Sequence, residues 1–223
     1  MCRVSSVNGN ITVNGVVFGS ASLAVTRDIA GVNYVQLTGA NTFTGSTIIS
    51  AGTLQIGSGG STGLLPSGVI ANSGHLIINH SDDLTLAGNV SGPGHLTKLG
   101  AGTLTLTGAN TYAGTTAIGN GTVKLGATGD ATNTPLGTTA AGTSVTSGAA
   151  LDLNGFTLGT AEALTLNGTV TLSGFKALNV TNTALTTISG SIGESGSSRM
   201  LQRHGKGRGG REERGQGVTS FTR

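Results

Sequence analysis

The chain has 223 residues, of which 40 are Gly, 5 Phe, 2 Tyr and none Trp, with 36% hydrophobic, 9% charged and 3% aromatic residues. So few large side chains exclude an ordinary globular core filled by Leu and Phe, while the low charge and a mean hydropathy of +0.14 exclude the composition of a chain that stays unfolded in water. Gly without a Gly-X-Y period excludes collagen, no apolar run reaches the ~18 residues of a membrane-spanning helix, and the lone Cys2 excludes an internal disulfide.

The net charge of +3 is unevenly placed. Residues 1–198 carry five Lys or Arg against seven Asp or Glu, whereas residues 199–223 carry seven against two. The basicity belongs to the tail, and the body is nearly uncharged.

In chain order, Met1-Cys2-Arg3-Val4 opens no charged segment followed by an apolar one, so no secretion signal is readable. The expectation is a cytoplasmic protein or an internal piece of a longer one. Residues 1–35 read as an irregular lead-in with β character. From residue 36 the text repeats itself. Residues 37–57 (LTGANTFTGSTIISAGTLQIG) and 106–126 (LTGANTYAGTTAIGNGTVKLG) share 12 of 21 positions at a separation of 69. An ordered LTGANT run followed by spaced identities is the sequence mark of a repeat architecture.

Shorter units run inside this one, each a Gly followed by apolar/polar alternation: GTLQIG from Gly52, GHLIIN from Gly74, GHLTKL from Gly94, GTLTLTG from Gly102, GTVKLG from Gly121 and GTVTLSG from Gly168. Alternation with Thr, Val, Ile and Leu between turn residues predicts strands of five or six residues. Asn-Gly pairs at Asn14, Asn120, Asn154 and Asn167 supply tight turns. No segment holds helical apolar spacing over three turns, so the chain to about residue 192 reads as all-β.

Main strand starts at 52, 74, 94, 121, 148 and 168 are 20–27 residues apart. A sandwich or barrel has turns about every 8–12 residues, so this longer unit predicts a right-handed parallel β-helix, a β-solenoid of some seven coils. Leu, Ile and Val ladders would fill its interior, and stacked Thr and Asn would bond to their copies on the outside. Scarce charge fits, because identical charges one strand apart repel.

Residues 96–116, LTKLGAGTLTLTGANTYAGTT, resemble the autotransporter-associated β-strand repeat of bacterial autotransporter passenger domains. Residues 37–57 resemble its second half, Ser81-Asp82-Asp83-Leu84-Thr85-Leu86 with Gly92–Gly94 the stretch that precedes it, and residues 148–155 a further coil. Together they cover roughly residues 36–190. The resemblance implies a type V secretion passenger at the cell surface of a Gram-negative bacterium. Its implied partner is a C-terminal translocator β-barrel in the outer membrane. Within the tail of residues 193–223, residues 199–223 contain no ten-residue alternating strands and no aromatic girdle. Residues 193–223 as a whole read as a disordered Gly/Arg-rich tail, and the abrupt change of text after Gly193 is expected to mark a truncation or a shifted reading frame.

His75, His80, Asp82, Asp83 and His95 form the densest set of metal-ligating or acid/base types. His75 and His95 are one coil apart, and His80 and Asp82 would share a face if their strand continued. We read them as structural and the Ser-Asp-Asp run as an exposed turn, since three ligands or two carboxylates in a cleft are needed for a site. The calcium nonapeptide is excluded because no Asp follows Gly59-Gly60 at the required position. Neither a GxSxG nucleophile motif in context nor a phosphate-binding loop occurs. A β-helical polysaccharide lyase or hydrolase needs charges clustered over adjacent coils, but residues 84–129 hold only Lys98 and Lys124. Gly207-Arg208-Gly209-Gly210-Arg211 is one RGG-like element without interleaved aromatics, which predicts non-specific attraction to polyanions and no specific nucleic acid. The expectation is a non-catalytic stalk or display scaffold, without metal, cofactor or small-molecule substrate. The alternative is an adhesin that contacts host or neighbouring cells.

Overall fold

In the computed structural model, residues 2–6, 10–27, 34–130, 133–138, 140–156, 158, 163–173, 187–188 and 192–195 are described. The tail expected to be disordered lies, from residue 196 onward, outside the described residues. Where described, the chain contains strands and no helix.

Three parallel sheets form the faces of a solenoid. The first is ordered β1 (Cys2–Ser6), β3 (Leu23–Arg27), β5 (Thr47–Ile49), β7 (Ile70–Asn72), β10 (Val90–Gly92) and β13 (Thr111–Tyr112). The second holds nine strands: β2 (Asn10–Val13), β4 (Tyr34–Leu37), β6 (Thr53–Ile56), β8 (His75–Asn79), β11 (His95–Leu99), β14 (Thr116–Ile118), β18 (Thr143–Val145), β20 (Leu164–Leu166) and β22 (Thr187–Ile188). The third joins β9 (Leu84–Leu86), β12 (Thr103–Leu106), β15 (Thr122–Leu125), β19 (Ala150–Asp152), β21 (Thr169–Ser173) and β23 (Ile192–Ser195). Every neighbouring pair in these sheets is parallel. Each coil thus stacks on an offset copy of itself, the solenoid that the 20–27-residue spacing predicts. Six of its strands, β6, β8, β11, β12, β15 and β21, are the Gly-bounded alternations read from the sequence.

The core is a set of axial ladders. In the second sheet, Leu37, Ile56, Ile78, Lys98, Ile118, Val145 and Leu166 stand in one register column. Leu104, Val123, Leu151 and Val170 form another in the third. These aliphatic side chains are almost completely buried, as is Leu106 in a neighbouring column of the third sheet. Outward residues alternate with them, because side chains in a strand point to opposite faces with period two.

The long step between β14 and β18 has a local cause. A short antiparallel hairpin, β16 (Asn133–Thr134) with β17 (Gly137–Thr138), is inserted there and buries Leu136 in the core. The interval from 94 to 121 in the sequence has a different origin: Gly94 precedes a second-sheet strand and Gly121 a third-sheet strand.

The two copies of the repeat do not occupy the same faces. Thr47–Ile49 lies in the first sheet, but its counterpart Thr116–Ile118 lies in the second. Thr53–Ile56 and Thr122–Leu125 likewise fall in the second and third sheets. Sixty-nine residues therefore amount to three coils and one further face.

Candidate functional site

Of the residues singled out in the sequence, His75 and His95 are brought together. They are direct register partners on β8 and β11, their rings 6.2 Å apart and edge-to-face at 78°. His75 Nε2 is 2.7 Å from Thr97 Oγ1. The Thr115 backbone N–H donates to His95 Nδ1 at 3.0 Å, so that nitrogen is the unprotonated one. Burial, and then the neighbouring His95, push the His75 pKa below its usual value.

The expected sharing of a face by His80 and Asp82 is not found. Strand β8 ends at Asn79; His80 turns inward and is 2% exposed, while Asp82 is exposed in the turn. Neither ring nitrogen of His80 has a hydrogen-bond partner. Ser81 Oγ donates to Asp82 at 3.0 Å. Asp83 accepts the backbone N–H of Thr103 in the next coil at 2.8 Å, and this bond holds its carboxyl below the usual range. Among the described residues, no group of three His, Cys, Asp or Glu is placed to hold a metal ion.

The most constrained chemistry lies in residues whose roles the sequence did not disclose. Lys98 occupies a core position, flanked in register by Ile78 below and Ile118 above, and is 1% exposed. Burying an ammonium is costly unless its protons are accepted. Its Nζ donates to the carbonyls of Leu99 at 2.7 Å, Gly100 at 2.8 Å and Asn120, one coil further, at 3.4 Å. The turn that presents these carbonyls needs Gly100, whose φ is +75° and whose added Cβ would stand 2.3 Å from the His80 carbonyl oxygen. Burial pushes the Lys98 pKa down to about 8, opposed by the charge of Asp83. The three acceptors match the three protons of an ammonium.

Asn110 is 1% exposed and ties three coils together. Its Oδ1 accepts Val90 N–H from the coil below at 2.9 Å, and its Nδ2 donates to Pro135 O in the coil above at 2.6 Å. Asn41 repeats the arrangement, accepting Val17 N–H at 2.9 Å and donating to Leu64 O at 2.8 Å. The two are the Asn of the two GANT runs. Thr116 Oγ1 donates to Leu136 O at 2.7 Å, so the 2.5 Å contact with Tyr112 must be donated by the tyrosine. Phe43, the counterpart of Tyr112, is buried in the same way without a hydroxyl. Gly45 and Gly114, also shared by the repeats, sit where an added Cβ would meet backbone 2.4 Å and 2.3 Å away. The shared residues are thus used in coil-to-coil contact.

Residues 31–56 and 96–125 match the passenger-associated-transport-repeat. The second match contains Lys98, Asn110, Tyr112, Gly114 and Thr116, and the first contains Asn41, Phe43, Gly45 and Thr47. The chain is also similar to a protein of Brucella suis biovar 1 (strain 1330) described as "Adhesin BmaC autotransporter", at 53% identity over 58 residues. That stretch is 26% of this chain and 2% of the adhesin's length. No solved structure gives a significant match. Autotransporter passenger repeats, carried on a β-solenoid, are what these observations establish.

Proposed function

We propose that the chain is a segment of a surface-exposed or secreted bacterial passenger and acts as a non-catalytic β-helical stalk or display scaffold. The observation that carries this reading is the use of the repeat's shared side chains. Asn41, Asn110, Thr116 and the close-packed glycines are directed at neighbouring coils and not at a cleft. A sequence pattern that serves stacking can be extended or shortened coil by coil, because each coil touches only its neighbours. The Brucella relative, called an autotransporter adhesin, supports a place on the cell exterior, with a translocator β-barrel as partner during export.

The adhesin reading is favoured by the name of that same relative. A bead-adhesion assay separates the two. Beads coated with the whole chain, applied to epithelial cells and to immobilised matrix proteins, are expected to bind no better than albumin-coated beads. Saturable adhesion, competed by free chain, would establish the adhesin and overturn the scaffold.

A further inference from the structure

We infer that Asn120 is a site of spontaneous backbone modification, at which the native fold favours cyclisation to a succinimide and opening to aspartate or isoaspartate. Four Asn-Gly pairs lie within the described residues, and the fold treats them differently. Asn120 is exposed at the corner between β14 and β15. The Gly121 N–H donates to Asn120 Oδ1 at 2.7 Å, which folds the side-chain amide back onto the nitrogen that would attack it. Gly121 has φ +64° and no side chain of its own to hinder that nitrogen, while its Cα packs on the coil below, where an added Cβ would meet Gly100 O and Gly102 O 2.5 Å away. Its neighbours Gly119 and Thr122 donate to the coil below, to Lys98 O and Gly102 O, and so hold both ends of the corner in place.

The other pairs are restrained. Asn154 donates through Nδ2 to Leu125 O at 3.0 Å, which holds its amide in the coil below. The nitrogen that would attack Asn167 belongs to Gly168 and donates to Val145 O at 3.1 Å. Asn14 Oδ1 accepts the Thr38 hydroxyl at 2.6 Å. An amide or nitrogen fixed by another partner must first break that bond to react, and in a packed coil that means local opening.

The chemistry needs only water and hydroxide. Hydroxide removes the Gly121 amide proton and the nitrogen attacks Asn120 Cγ, forming an N–C bond. The Cγ–Nδ2 bond breaks and ammonia leaves with the proton. Water then adds to either ring carbonyl and breaks one of its C–N bonds, giving aspartate or, through the other carbonyl, isoaspartate. No electrons are transferred. The product is a carboxylate at a corner whose backbone oxygen lies 3.4 Å from the Lys98 ammonium, and isoaspartate also adds a methylene to the main chain there.

The test is incubation of the whole chain at mildly alkaline pH, folded and in parallel in urea, followed by peptide mass spectrometry with fragment ions that resolve each Asn, and by isoaspartyl methyltransferase labelling. In the folded chain Asn120 is expected to gain the unit mass severalfold faster than Asn154 and Asn167. In urea the rates should converge. An Asn120→Gln variant should lose the early methyl labelling of the peptide that spans residue 120 while keeping the same circular dichroism. Folded-state protection of Asn120 equal to that of Asn154 and Asn167 would overturn the inference, as would an Asn120 rate in the folded chain well below its own rate in urea.

Discussion

Replacing Asn110 by Ala tests whether the corner asparagine, and not the aliphatic ladder alone, fastens adjacent coils. The substitution removes an acceptor from Val90 N–H and a donor from Pro135 O, both at hydrogen-bond distance from a side chain that is 1% exposed. A buried polar group left without a partner costs about 1–3 kcal/mol, so two together predict a loss of about 2–6 kcal/mol. Asn110→Asp keeps the shape and the acceptor but presents a charge where Nδ2 donated to Pro135 O, and should cost at least as much. Because a solenoid is stabilised by nearest-neighbour interfaces, the damage should be local. Chemical denaturation should report the overall loss, and hydrogen exchange should show accelerated exchange at Val90 with the amide of Val17 unaffected. Asn41→Ala should mirror it at Val17, and the double variant should be additive, since the two asparagines share no hydrogen-bond partner. A loss below about 1 kcal/mol for Asn110→Ala would refute the reasoning, because it would mean that water satisfies Val90 and Pro135 in a corner taken to be dry.

Three further outcomes are expected. Lys98 has a folded pKa near 8 against 10.5 unfolded, so between these values the unfolded chain binds more protons and stability should rise with pH, by at most about 3 kcal/mol; urea midpoints across pH 7.5–10.5 should show this rise in the wild type and a flatter line in Lys98→Met, and parallel lines would refute it. Gly114→Ala places a Cβ 2.3 Å from Gly94 O and should cost more than about 2 kcal/mol, whereas Ala at Gly60, where nothing lies within 4 Å, should be nearly neutral in thermal melts. Leu104→Asp puts an unpaired charge into the ladder between Leu84 and Val123, and a melting temperature unchanged from wild type would contradict its inward placement.

The fold was legible because its signals are local. Gly-bounded alternation gave the strands, and the coil-length spacing chose solenoid over sandwich. What escaped was anything set by which coil lies above. Lys98 reads as one of two charges in a neutral stretch, and nothing within LTKLG says that it points inward, since an alternation can be phased either way. The strand phase and the three carbonyls that make burial tolerable come from the fold. The Asn of GANT is visible as a repeated residue, but stacked Asn is expected on the outside and bonded to its copies, whereas Asn41 and Asn110 are buried and bond to backbone groups 20–25 residues away. His80 and Asp82 were linked by assuming that a strand continued. A shared turn at Ser81–Asp83 ends it, and Asp83 serves instead as a cap for Thr103. The hairpin at residues 133–138 left only an enlarged interval as its trace.

The offset of one face between the two repeats bears on how such a chain changes over generations. Similar stretches invite unequal recombination, and an exchange between them removes or adds 69 residues. Had that length been a whole number of coils, the product would be a shorter or longer rod with every surface facing as before. With three coils and one face, the join is still seamless at the repeat itself, where first-sheet and second-sheet strands obey one pattern. Everything downstream is turned about the axis, so that what faced one direction now faces the next. A change in length is therefore also a change in azimuth, and exchange between the repeats can re-aim distal features without altering a residue in them.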